Sequence, residues 1–478
     1  MSRMRSARLI ARILTIIVGA GLAVGCGSGG TQVAGIDGGG SIASGVITGF
    51  GSVFVNGVEY RTTGAQITIN GQPGTEAQLH VGEVVTVRGV IASGGKTGDA
   101  QSISFDDNVT GPITSIDLPG NSLVVLGQTV RTDGTTTFDN SSIQPPELGS
   151  LAVGDIVEVS GFVDANGAVV ATRIERRSGS AIEVSGTIEN LDTNAKRFQV
   201  NALIVDYSTA QLSGGSPSNG ACVEAKGDSA GFSGGVLTAS RVEVEGCQPN
   251  VTSGDHGEIE GLITAVRSTS DFDVAGQRVA TTAATQFSGG TPANLAANAR
   301  VEVEGTFDAA GTLVASKLEF KQASELRATG TIESLNAASS TLTVFGIPIT
   351  TDSETRFEDD SSQNVSTFNF SSLRTNDYVE VHGSAGTAVN SLRATVLERR
   401  DPDTKRELRG PAVSLAAPTF TILGVSVVTD AGTTFMDDSD NSITSAQFFA
   451  LAAGRVVNVD GTWTGSSFLA SSAEIERP

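Results

Sequence analysis

The sequence predicts an all-β fold: six tandem small OB-like five-stranded β-barrels after a leader segment and a flexible tether. One short strand ending in glycine recurs six times, as VVTVRG to Gly89, IVEVSG to Gly161, CVEAKG to Gly227, RVEVEG to Gly305, YVEVHG to Gly383 and VVNVDG to Gly461. Its spacing of about 66 to 78 residues is the period of a small repeated module. Around it apolar and polar residues alternate, as in half-buried strands, and closing five such strands into a barrel hides their edges.

The leader comes first. Arg3, Arg5, Arg8 and Arg12 precede an apolar run from Ile13 to Val24, which is too short to span a bilayer as an ordinary helix. The run ends in Leu22-Ala23-Val24-Gly25-Cys26, which resembles a bacterial lipobox, with Leu four residues before the cysteine where three is usual. The reading is a lipoprotein signal peptide over residues 1–25 and lipidation of Cys26; the alternative is a plain secretory signal with an incidental cysteine. A Gly/Ser-rich tether follows over 26–44. Two or more acyl chains on Cys26 make a firm anchor. Gly27, where Asp would mark inner-membrane retention, favours the outer membrane by resemblance to lipoprotein sorting.

The modules are read as 45–106, 107–178, 179–249, 250–322, 323–402 and 403–478. Each opens on a glycine and a short apolar strand, as in Gly111-Pro-Ile113, Gly186-Thr-Ile188, Gly261-Leu-Ile263 and Gly330-Thr-Ile332. A hairpin follows, as in Leu123-Val-Val125-Leu-Gly127 and Phe420-Thr-Ile422-Leu-Gly424. The third strand is apolar again at Tyr60, Val130, Val205, Val279, Ile349 and Val427. A polar segment comes next and is read as irregular, opening with Phe and acids at Phe138, Phe357 and Phe435. In the sixth module Thr444-Ser-Ala-Gln447 is a capping box and predicts one short helix. The fourth strand carries apolar residues two and four before its glycine (Val303 and Val301, for example), with polar residues between them. The fifth reads Ala-x-x-apolar-Glu, ending at Glu175, Glu243, Glu319, Glu398 and Glu474. The expected arrangement is a curved or zigzag chain of barrels with acidic side chains wetted.

The lipobox, the tether and tandem modules with F-x-V-x-G and V-E-V-x-G…A-x-x-I-E resemble a bacterial lipoprotein family built from copies of an uncharacterised domain of unknown function, numbered fifty-six sixty-six. The resemblance covers Gly45 to Glu476. It implies fold and location and brings no activity.

Candidate site residues are few. Cys222 opens the fourth strand of module three and Cys247 follows its fifth. In an antiparallel hairpin the two meet, so a disulfide is expected, with two free thiols as the alternative; closing a loop of this size contributes about 3 kcal/mol. Asp438, Asp440 and Ser442 alternate oxygen ligands and form a weak calcium candidate, with Asp359-Asp360 and Asp106-Asp107 as thinner versions. No loop has the full twelve-residue calcium pattern. His80, His256 and His382 give no metal or catalytic grouping. His256 is read as a linker residue and His382 as part of a solvent-facing column. Gly231-Phe-Ser233-Gly-Gly235 matches G-x-S-x-G but falls in a turn, without a strand-to-helix elbow. One Trp and three Tyr do not make a recurring aromatic platform.

The formal net charge of −21 opposes nucleic acid. The functional expectation is a non-enzymatic, lipid-anchored protein of the bacterial envelope, periplasmic or surface-facing. It would act as a structural or interaction scaffold, a spacer or stalk of repeated β-modules. The expected partners are the membrane, through the lipid on Cys26, and an envelope protein or glycan; the alternative is an envelope receptor for a glycan, peptide or cation at one specialised module.

Overall fold

The computed structural model describes residues 40–476, apart from 248–249, 322–325, 366 and 439–440. The leader, Cys26 and most of the tether lie outside the described residues. The ordered chain begins with the strand Ser41–Gly49, so the last residues read as tether belong to the first module.

Module two shows the pairing plan. Its first strand, Val109–Asp117, pairs with Ser122–Val125, which turns back through a tight hairpin into Gln128–Arg131. That third strand runs parallel to the fifth, Val169–Arg176. The fifth pairs antiparallel with the fourth, Ile156–Val163, and the fourth closes on the first. Modules one and four close by the same unbroken circuit. In modules three, five and six the order is kept, but strands are interrupted at Ile188, Ala239–Ser240, Ile332–Glu333 and Ala412. Fully closed ladders are therefore seen in three of the six expected copies.

The recurring glycine of the fourth strand has a steric cause. In five modules the ladder between fourth and fifth strands shifts register at this residue, a β-bulge that bends the pair around the barrel. A Cβ on Gly305 would stand 2.2 Å from the Val314 carbonyl oxygen, and one on Gly383 2.1 Å from that of Arg393. Module three has no such shift and breaks its fifth strand instead. The first-strand glycine has a different neighbour, the hairpin turn. A Cβ on Gly111 would meet Leu126 at 2.4 Å, and one on Gly330 would meet Phe345 at 2.5 Å. Leu126 and Phe345 sit at positive φ beside Gly127 and Gly346, as a type I′ turn requires, and their side chains fill the space the glycines leave.

The segment read as irregular forms a sixth short strand, parallel to the fifth. It is Gln66–Ile69, Thr137–Phe138, Gln211–Ser213, Gln286–Ser288, Arg356–Asp360 and Thr434–Met436 in turn. The predicted helix is present at Ser445–Leu451, with Thr444 and Gln447 capping each other reciprocally. Four other modules make a single 3-10 turn there.

The copies do not form an extended chain of barrels. From Ile36 onward the protein packs as one compact unit, because first strands pair with first strands. Val109–Thr110 of module two lies antiparallel to Glu183–Val184 of module three. Arg327–Thr329 of module five does the same with Glu407–Arg409 of module six. Ser41–Ser44 of module one runs parallel to His256–Ile259 of module four, which makes His256 a strand residue and not a linker residue. Modules two and three share one apolar core, as do five and six, while modules one and four keep their own. Val46, Phe162 and Leu262 make a small apolar contact among modules one, two and four.

Replacing Gly305 by Ala should cost at least about 2 kcal/mol, since backbone and not a flexible side chain must move. Gly276→Ala, with open space around its Cβ but a positive φ, should cost less. Denaturant midpoints of the two variants check the order.

Candidate functional site

The outer face of the fourth and fifth strands is where charge collects. Alternation puts Val301 and Val303 into the barrel and Glu302 on the opposite face. That face was expected to be wetted. Instead Glu158, Glu224, Glu302 and Glu380 are only 9 %, 5 %, 5 % and 7 % exposed, because neighbouring modules cover them. Each stands directly across the hairpin from the fifth-strand glutamate: Glu158 from Glu175, Glu224 from Glu243, Glu302 from Glu319 and Glu380 from Glu398. Two like charges in that position repel, and burial raises the cost.

One cation per module answers this. Arg177 donates to Glu158 through Nε at 3.0 Å and NH2 at 2.8 Å, and to Glu175 through NH1 at 2.8 Å. Arg400 lies 3.0 Å from Glu380 and 2.7 Å from Glu398. Lys321 lies 2.8 Å from Glu302 and 3.7 Å from Glu319. All three cations stand two residues beyond the fifth-strand glutamate, where alternation returns the side chain to the same face. Module three has Glu245 there, and its cation is Lys226 on the fourth strand, 2.8 Å from both Glu183 and Glu224. The spacing Glu-x-Arg/Lys is the signal that the sequence carried for these residues.

The same groups reach between modules. Lys321 of module four also lies 3.1 Å from Glu354 of module five. Glu302, Glu319 and Glu354 offer oxygens within 4.8 Å of one another, as a metal site would, and the Lys321 ammonium is bonded among them. Arg173 of module two, almost wholly buried, holds Asp139 at 2.9 Å, Glu175 at 3.5 Å and Glu358 of module five at 3.6 Å. Burial pushes the Glu358 carboxyl up to about 7 against the pull of Arg173, and burial with Glu358 and Glu398 nearby pushes Asp360 up to about 10. Lys226 donates to the carbonyl of Asn70 in module one at 3.0 Å, and Trp463 of module six donates to Glu333 of module five at 2.8 Å.

His382 is not solvent-facing as read. It is 6 % exposed, and its Nε2 lies 2.7 Å from Glu380 Oε1. Burial would raise the Glu380 carboxyl, but His382, Arg400 and Arg327 together hold it well below its usual range. The column was misread because a polar side chain on the outer face says nothing of what covers that face.

The other candidates are placed as follows. Cys222 and Cys247 are joined in a disulfide with Cα atoms 5.1 Å apart, as the antiparallel ladder over Cys222–Lys226 and Arg241–Glu245 requires. Asp438 pairs with Arg455 at 3.0 Å, Ser442 bridges to Met436, and Asp440 lies outside the described residues. Asp359 accepts from Arg399 and from the Val365 N–H. Asp107 is buried against the Thr110 hydroxyl at 2.6 Å. Residues Gly231 to Gly235 make a 3-10 turn and a tight hairpin. No helix among the described residues is long and apolar enough to cross a membrane.

Two outcomes follow from this charge network. Lys321→Met should destabilise the protein by about 3 kcal/mol, because it strands Glu302 and Glu354 in a buried site, and adding Glu302→Gln should restore part of the loss. The measurement is denaturant unfolding of both variants. Glu358 titrates above an unfolded carboxylate's value of about 4.3, so its contribution is complete below that pH and is lost as pH rises through about 7. Glu358→Gln should therefore lose less stability than the wild type between pH 5 and pH 8, as read from unfolding midpoints.

Residues 110–175, 260–319, 329–398 and 409–474 match the family model described as Domain of unknown function (DUF5666). The first three of these stretches end on Glu175, Glu319 and Glu398 and so contain both members of a facing glutamate pair. No curated protein matches the chain. The matched stretches make up more than half of the sequence, and the chain belongs to the DUF5666 family.

Proposed function

We propose that the protein is a non-enzymatic interaction scaffold of the bacterial envelope, anchored through lipid on Cys26. The observation that supports this most is the use of the recurring charged residues. The facing glutamates are neutralised by cations of their own or an adjoining module, so they serve to hold modules together. The leader, the lipobox-like Leu22 to Cys26 and the Gly/Ser-rich tether support the location. The net charge of −21 weighs against nucleic acid as a partner. In this reading the compact unit presents a preformed surface to an envelope protein or glycan, in place of an extended stalk.

The receptor reading has one observation in its favour. A cleft of about 690 Å³ is lined by Phe162, Asn166, Asn201, Glu245 and the Cys222–Cys247 bridge, at the one module that carries a disulfide. A saturable calorimetric response of the folded chain to an envelope polysaccharide, a peptide or calcium, lost on substitution of Asn201, would favour it.

The anchor is tested by palmitate labelling and membrane fractionation of cells expressing the wild type and Cys26→Ser. The wild type should carry label and sediment with outer membranes, and the variant should do neither. An unlabelled wild-type chain in the soluble fraction overturns the anchor, and turnover of envelope glycan or peptide by the purified chain overturns the non-enzymatic reading.

A further inference from the structure

We infer that Arg356 binds a small oxyanion, a carboxylate or phosphate group, in a cavity where modules one, two, four and five meet. The inference rests on the geometry of that junction and is independent of the scaffold reading.

The cavity has a volume of about 90 Å³, room for a group of a few heavy atoms. Four cations line it: Arg300, Lys321, Arg356 and Arg393. Three of them are paired. Arg300 lies 2.8 Å from Glu260, Lys321 lies 2.8 Å from Glu302 and 3.1 Å from Glu354, and Arg393 lies 2.7 Å from both Asp352 and Glu354. Those bonds use all three acids that line the cavity.

Arg356 is the exception. It is 5 % exposed, and its NH2 donates to the backbone carbonyl of Thr135 in module two. Its Nε is buried without a partner. Among the described residues no carboxylate lies within ion-pair distance of it. The two acids on its own sheet face are engaged elsewhere, Glu358 with Arg173 and Glu398 with Arg400.

A guanidinium keeps its charge in proteins and carries five N–H donors, so a buried one with a single acceptor is costly. Its planar fork fits the two oxygens of a carboxylate or phosphate. The Ser384 hydroxyl lines the same cavity and offers one more donor. A bound oxyanion would supply the counter-charge that no side chain provides, and would join module five to module two through Arg356 and the Thr135 carbonyl. A second cavity of about 410 Å³ shares Thr135, Arg300 and Lys321 with the first, so a molecule that carries the oxyanion as one end group has adjoining space.

The test is unfolding of the purified folded chain in sodium phosphate or sodium acetate, with sodium chloride holding ionic strength constant. A saturable rise in Tm with phosphate points to a phosphate group, and one with acetate to a carboxylate. Arg356→Met should weaken half-saturation at least tenfold, and Arg356→Lys less. Should Arg356→Met fail to fold, wild-type crystals soaked in selenate decide: an anomalous peak at the Arg356 guanidinium supports the site and its absence overturns it. No saturable shift in the wild type, or one that Arg356→Met retains, also overturns it.

Discussion

A cation held between two glutamates that face each other across a β-hairpin is the interaction on which the assembly depends. The hairpin itself follows from sterics, with a glycine at the bulge letting the fourth strand cross the fifth. That geometry fixes the glutamates opposite one another, because register in a ladder leaves no freedom to move apart. Left alone, Glu302 and Glu319 would push outward into water. With Lys321 between them the face carries little net charge, and another module can cover it. Module packing is thus conditional on the cation, and a residue that looks like surface decoration decides whether four barrels stay apart or join.

Much of the barrel was legible because its determinants are local. The valine pairs of the fourth strand, the turn glycines and the Thr444 capping box each act within a few residues, and each is found where the alternation or spacing put it. The Cys222–Cys247 bridge was legible for the same reason, since a hairpin register determines which ends meet. The outer face was not. Alternation reports that Glu380 and His382 point away from their own core, and it is silent on whether water or another module lies beyond. The sixth short strand was also missed, because Arg356-Phe-Glu-Asp-Asp360 has the charge of a loop. Its one apolar signal, the phenylalanine repeated at Phe138, Phe287, Phe357 and Phe435, was read as the start of an irregular segment.

The joints between modules show why a repeat need not build a filament. Each first strand is paired on one side with its own fourth strand and leaves part of its other edge open. An open edge is a hazard unless something covers it. Here similar edges cover one another. Modules two and three and modules five and six are sequence neighbours, so their antiparallel pairing needs only a short return. Modules one and four are far apart in the chain and meet in parallel. That pairing is invisible in any one repeat, because all the first strands are alike.

The first and last copies supply the remaining step. Module one has Thr86 opposite Ser104, and module six has Asn458 opposite Glu474. Two residues past those fifth-strand positions stand Asp106 and Glu476, where modules two, four and five place Arg177, Lys321 and Arg400. Both the facing glutamates and the cation are missing together. If the acids served the barrel, every barrel would need them, and modules one and six fold without them. If they served solubility, no cation would be placed to cancel them. Their restriction to the four inner copies fits a third role, in which the charge is one half of a joint and appears only where a neighbouring module supplies or covers the other half. End copies of a repeat array commonly depart from the pattern for this reason, since they have one neighbour fewer.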